Sequence, residues 1–158
     1  MQQHKKTRVL FVCLGNICRS PLAEVIVKAV AAKRGLGHYY FESAGTGNWH
    51  VGGAADPRSA GKAREYGLDL SNHRAQQITT QNCGDWDWLI AMDTENRRDL
   101  LNMGVSPSQI LMMRQFEGTS HILDVPDPYY GGPEGFEHAY HMLAKNAETL
   151  LDYLEGQK

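Results

Sequence analysis

The 158-residue chain reads as an α/β protein, a three-layer sandwich in which one four-stranded parallel sheet is flanked by helices. Three observations predict it. Short apolar runs alternate with segments of helical periodicity, the pattern of right-handed βαβ units. The runs are apolar at nearly every position, as strands covered on both faces require. The length suits a single domain spanning 1–158, and 42% hydrophobic residues are enough for one core.

Each element follows from its residues. Val9-Leu10-Phe11-Val12 is β-branched and aromatic, a buried first strand. Leu22, Val25, Ile26, Ala29 and Val30 then recur at helical spacing, and Gly35 marks the stop. Tyr39 to Ser43 is the second strand, and Asp56-Pro57 opens a helix that runs to Tyr66. Trp88 to Met92 is the third strand, followed by a helix from Thr94 to Met103, and Ile110 to Met113 is the fourth. A Pro- and Gly-rich loop is expected over 117–135, and loops of that length in compact domains are usually functional. Phe136, Tyr140, Leu143, Ala147, Leu150, Leu151 and Leu154 place one apolar stripe along a final helix. The expected strand order is 2-1-3-4, a flavodoxin-like or Rossmann-like arrangement. Such sheets bind ligands beyond the carboxyl ends of their strands.

Composition narrows the function classes. A formal net charge of −2 gives no reason to expect nucleic-acid binding. Residues 1–7 read as a flexible basic tail, and the first apolar run is too short to span a bilayer, so a cytoplasmic protein without membrane insertion is expected. Three cysteines, with no C-x-x-C pair, fit neither a disulfide framework nor a structural zinc site. His138 and His141, three apart on a helix without a cysteine partner, read as solvated surface residues, and no metal site is expected.

The segment Cys13-Leu14-Gly15-Asn16-Ile17-Cys18-Arg19-Ser20-Pro21 carries the chemistry. It joins a buried strand to a helix, with Pro21 suited to the first helical position and Ser20 to the N-cap. Backbone N–H groups of such a loop, helped by the helix dipole, form an anion cradle. Gly15 is expected to supply unusual backbone angles. Cys13 stands where a nucleophile would face the anion, in surroundings that favour a thiolate. Arg19 offers a planar fork for two phosphate oxygens. A lone cysteine of this kind would read as a core thiol; the bracketing by Arg19, with Gly, Ser and Pro in place, favours catalysis. An ester leaving group also needs a proton, and Asp127, between Pro126 and Pro128, is a carboxyl held on a restricted backbone. Asp-Pro alone reads more readily as turn chemistry; its combination with the phosphate loop reverses that and favours the acid.

The string C-L-G-N-I-C-R-S-P near the N-terminus resembles the C-x5-R-S signature of the low-molecular-weight protein tyrosine phosphatases, and D-P-Y-Y at 127–130 resembles that family's general-acid loop. The likeness runs from about Val9 to Leu154. It implies a hydrolase without cofactor or metal, acting on phosphotyrosine through a phosphocysteine on Cys13. Arg19 and the amides of Leu14, Gly15, Asn16, Ile17 and Cys18 would bind phosphate, and Asp127 would act as acid and then base. Asn16, Ser20, Ser43 and His73 resemble the network that supports the loop, and Asp93 would orient Arg19. Trp49, His50, Tyr129 and Tyr130 resemble the pocket walls. Cys18 would capture oxidised Cys13 as a reversible disulfide, with a packed, unreactive thiol as the alternative. Phosphotyrosine proteins as substrates, inorganic phosphate as product and competitive ligand, and a monomer with weak dimerisation at most complete the expectation. Arsenate reduction, on the same fold, requires a relay of further cysteines beyond the loop, where only Cys83 is available. Arginine phosphatases are associated with threonine at the position of Ile17.

Overall fold

The structure is a computed structural model describing residues 6–118 and 124–157. Four strands, β1 (Thr7–Cys13), β2 (Tyr39–Gly45), β3 (Trp88–Ala91) and β4 (Ile110–Met112), alternate with α1 (Arg19–Lys33), α2 (Pro57–Glu65), α3 (Thr94–Asn102) and α4 (Pro133–Glu155). All strand pairs are parallel, in the order β2-β1-β3-β4. The register sets Val12 beside Ala44 on one side and Ala91 on the other, so β1, β2 and β3 end close together. That is the two-sided α/β architecture expected.

Strand alternation divides the core in two. Val9, Phe11, Cys13, Ile90, Met92 and Leu111 face α1, α2 and α4, while Leu10, Val12, Leu89, Ala91 and Met112 face α3 with Leu100 and Val105. Both faces of β1 are therefore dry, which is why its sequence is apolar without a break. Each fully buried Leu, Ile or Phe contributes ~1.5–3 kcal/mol. The sheet end that carries the site is thus anchored from both layers.

Several boundaries differ from the sequence reading, each for a physical reason. The expected tail 1–7 lies mostly outside the described residues, but Thr7 already pairs with Tyr39 in β1. Helix α1 begins at Arg19 with Cys18 as its N-cap, and the Ser20 hydroxyl makes no cap, because it turns inward to the Cys13 sulfur. The buried stripe of α1 is Leu22, Ala23, Ile26, Val27 and Ala31, with Val25 and Val30 only half-buried, because both the sheet and α4 cover the helix. The expected loop 117–135 ends early: Pro133 takes the first turn of α4, and Pro128–Tyr130 forms a 3₁₀ turn capped by the Asp127 side chain. Residues 119–123 of that loop lie outside the described residues.

Candidate active site

Residues 13–19 wind around the point where β1 passes into α1, and five of their carbonyls are engaged by groups outside the loop. Cys13 O accepts from Thr46 N (2.9 Å) and Leu14 O from Gly47 N (2.9 Å). Asn16 O accepts from His73 Nε2 (2.7 Å), which therefore carries a proton. Ile17 O accepts from Asp56 N (2.8 Å), and Cys18 O from the Ser59 hydroxyl (2.9 Å). With carbonyls engaged by the surrounding scaffold, the loop can turn its N–H groups to the concave side, and the N-terminus of α1 adds partial positive charge. Gly45 makes the close seating possible, since a Cβ there would stand 2.6 Å from Leu14 O. Gly15, expected to take the unusual backbone angles, does not. The left-handed residue is Asn16 at φ 58°, and the bare Gly15 instead makes room for the His50 ring, 3.0 Å from a notional Cβ.

Cys13 lies at the floor of this loop, 2% exposed. Its sulfur meets Ser20 Oγ at 2.9 Å and accepts from Asn16 N at 3.3 Å. The direction of the surrounding hydrogen bonds is determined. Asn16 Oδ1 accepts from Gln76 N (2.9 Å), so its amide nitrogen is the group that donates to Ser20 Oγ and Ser43 Oγ, each at 2.9 Å. Ser43 donates its own hydroxyl hydrogen bond to Glu24 Oε1 (2.8 Å). Ser20 is left with its hydroxyl hydrogen free to point at sulfur, which stabilises negative charge there. The structure brings together all four residues of the expected network and adds Glu24 and Gln76 to it. Cys18, also buried and free, differs: burial first, then the nearby Asp56 carboxylate, pushes its thiol pKa well up, so it stays protonated at neutral pH.

Arg19 is almost fully buried, and Nη1 donates to Asp93 Oδ2 (2.7 Å) and Val125 O (2.9 Å). Burial opposes its charge, but the neighbouring Cys13 and the Asp93 hydrogen bond outweigh that and raise its pKa. Asp93 is itself fixed, because its other oxygen caps α3 by accepting from Asn96 N (2.8 Å). The second arm, Nη2, stands 3.6 Å from Asp127 Oδ2. Asp127 Oδ1 accepts from Tyr129 N (3.0 Å), which turns the carboxyl towards the loop.

These groups line a cleft of about 320 Å³, with Cys13 and Arg19 at its base. Trp49, His50, Asp127, Tyr129 and Tyr130 line its walls, while Leu14 and Ile17 add apolar surface. Every expected pocket residue reaches this cleft. Cys83 does not: it packs on the α3 face of the sheet, opposite the face that holds Cys13. His138 and His141 are exposed, and His141 pairs with Glu137 at 2.9 Å. Sequence reasoning missed Glu24, Asp56, Arg58, Ser59 and Gln76. Asp56-Pro57 signalled only a helix start, and nothing local says that this start abuts the loop.

A buried free thiol at the turn from β1 into α1, on a parallel sheet of order β2-β1-β3-β4, places the chain among α/β proteins that carry a cysteine at the carboxyl end of the first strand. The family model described as low molecular weight phosphotyrosine protein phosphatase matches residues 8–158, and the chain belongs to that family. It is 43% identical over 150 residues to the low molecular weight protein-tyrosine phosphatase A of Mycobacterium tuberculosis, covering 93% of this chain and 91% of that protein. The solved YfkJ from Bacillus subtilis superposes with a TM-score of 0.90 at 37% identity, covering 99% of each chain. Vibrio vulnificus Wzb, solved with benzylphosphonate, gives 0.81 at 27% identity over 93% and 98% of the two chains.

Proposed function

We propose that the protein is a tyrosine phosphatase hydrolysing phosphotyrosine and aryl phosphate monoesters through a phosphocysteine on Cys13. The observation that carries the reading is the Cys13 sulfur, met by Asn16 N and Ser20 Oγ on the floor of the loop, with buried Arg19 beside it. Relatives named protein-tyrosine phosphatase support it, as does the arylmethyl phosphonate held by the Vibrio protein.

In the first step, Cys13 Sγ attacks phosphorus while the bond from phosphorus to the phenolic oxygen breaks. Arg19 and the loop amides hold the three equatorial oxygens as charge spreads over them. Asp127 gives its proton to the departing oxygen. In the second step the same carboxylate takes a proton from water as that water attacks phosphorus. The S–P bond breaks, inorganic phosphate leaves and the thiolate returns. Asp93 acts through Arg19, fixing the guanidinium so that its remaining donors face the substrate. Asn16, Ser20, Ser43 and His73 hold the loop in its binding shape. Trp49, Tyr129 and Tyr130 sandwich the phenyl ring, and Leu14 and Ile17 line its path. Phosphotyrosine proteins are the substrates, and phosphate competes for the same cradle. A thiolate nucleophile needs reducing surroundings, which fits a cytoplasmic location. One chain supplies every group named, which fits a monomer.

The test is hydrolysis of p-nitrophenyl phosphate near pH 6 with a reductant and a chelator. Wild type is expected to turn over, and Cys13→Ser to be folded and inactive. A folded, reduced wild type without activity would overturn the reading.

A further inference from the structure

Arg58, in the first turn of α2, ties three parts of the site together from outside the cleft. Its Nε and Nη2 grip the two oxygens of Asp56 at 3.0 and 2.9 Å. Asp56 in turn donates its backbone N–H to Ile17 O of the phosphate loop. The third nitrogen, Nη1, reaches across to donate to Tyr129 O (3.2 Å). The guanidinium also lies 5.3 Å from the Tyr129 ring and 4.7 Å from the ring of Phe136, in the first turn of α4. Asp127 and Tyr129 are exposed on a 3₁₀ turn whose Pro128 is buried; the Tyr129 ring also lies 6.5 Å from the His50 ring, and Asp127 is held by Tyr129 N and faces Arg19.

We propose that Arg58 is a positioning residue for the acid: it latches the 127–130 turn to the phosphate loop, so that Asp127 meets the leaving oxygen in line with Cys13. The connections close a ring from Ile17 through Asp56, Arg58, Tyr129 and Asp127 to Arg19 and back along the loop. The planar fork is what allows one side chain to hold Asp56 by two nitrogens and Tyr129 by a third; lysine, a point donor, cannot. Asp56, held at low pKa first by the Arg58 hydrogen bond, remains the anionic anchor at working pH. The proposal rests on Asp127 acting as general acid.

The test uses two esters of one ring size, p-nitrophenyl phosphate and phenyl phosphate. Phenolate is the more basic leaving group and depends more on protonation. The quantity read is kcat/KM, which reports steps up to release of the phenol and excludes the later hydrolysis of phosphocysteine. Arg58→Met keeps an apolar stem against Phe136. It is expected to lower kcat/KM for phenyl phosphate by roughly tenfold to a hundredfold, and for p-nitrophenyl phosphate several-fold less. Placed on Asp127→Asn, the same change should cost little more, because the group it positions is already gone. Arg58→Lys is expected to fall between wild type and Arg58→Met, and it reads the same contrast should the methionine variant fail to fold. An equal loss on both esters, or losses that multiply fully with Asp127→Asn, overturns the latch while the acid assignment stands. Should Asp127→Asn itself show no leaving-group dependence, the acid assignment fails and the proposal fails with it.

Discussion

Two loops meet over Cys13, and they are built in opposite ways. The phosphate loop is buried: Asn16 and Ser20 are inaccessible to solvent, and five of its carbonyls have partners from the β2–α2 connection, α2 and His73. The turn at 127–130 is more open, with Tyr130 85% exposed although Pro128 is buried, and it touches the rest of the site through Arg19, Arg58 and the His50 ring. The difference fits the chemistry proposed for each. Charge on equatorial phosphate oxygens is stabilised best by dipoles that need no reorganisation, which demands a rigid cradle. Proton delivery to a leaving group needs a carboxyl that admits a bulky aryl substrate first, which demands an accessible one.

Damage to the two loops should therefore look different. The largest effect short of removing the nucleophile is expected from Asp127→Asn, a loss of ~10²–10⁴-fold in kcat/KM on esters with basic leaving groups. Phosphate inhibition should be nearly unchanged, since the cradle is intact; steady-state kinetics with phosphate as inhibitor reads both. Arg19→Lys should reverse that signature. A loss of about 10²–10³-fold is expected with weaker phosphate inhibition, because lysine cannot serve Asp93, Val125 O and a phosphate together.

Asn16 sharpens the comparison, because its substitution acts through fold stability. Asn16→Ala leaves the Gln76 N–H without its partner and retains a left-handed backbone, and is expected to cost about 2–4 kcal/mol in denaturant unfolding. Asn16→Gly relieves the backbone term, so it should be the less destabilised of the two while binding phosphate no better. The smallest effect is expected at Asp56. Its carboxyl is held below the ordinary range, first by the hydrogen bond from Arg58, so its stabilisation is present above the unfolded carboxylate pKa. That stabilisation disappears as pH falls through the lower folded value. Asp56→Asn should lower Tm at neutral pH by about 2–4 °C, as a loss near 1 kcal/mol implies, with the gap closing in acid. A gap that widens in acid would show that the ion pair is not its source.

The same contrast explains what the sequence made legible. The run Val9 to Val12, the glycine and proline stops, and the apolar stripe of α4 report local preferences, and strands, helices and their order follow from them. Cys13, Arg19 and Asp127 stand out because spacing and flanking residues mark them, and the fold brings all three to one cleft. Asn16 as the left-handed residue was not visible, because glycine is the ordinary choice and only the Ser20, Ser43 and Gln76 contacts hold asparagine there. Ser20 is a residue type that caps helices, but its hydroxyl faces sulfur instead. Glu24, Ser59 and Arg58 serve partners 19 to 71 residues away, and no window of sequence contains that pairing.

Phosphorus bonding to sulfur at Cys13 is the central step of the proposed reaction, and trapping that bond tests it most directly. Asp127→Ala enzyme, slowed in both proton transfers, would be mixed with p-nitrophenyl phosphate, quenched in acid within the first turnovers and digested for peptide mass spectrometry. The prediction is one added phosphoryl group on the peptide containing Cys13, absent when Cys13→Ser is treated identically. Turnover without any phosphoryl group on that peptide, or with the group on another residue, would contradict it.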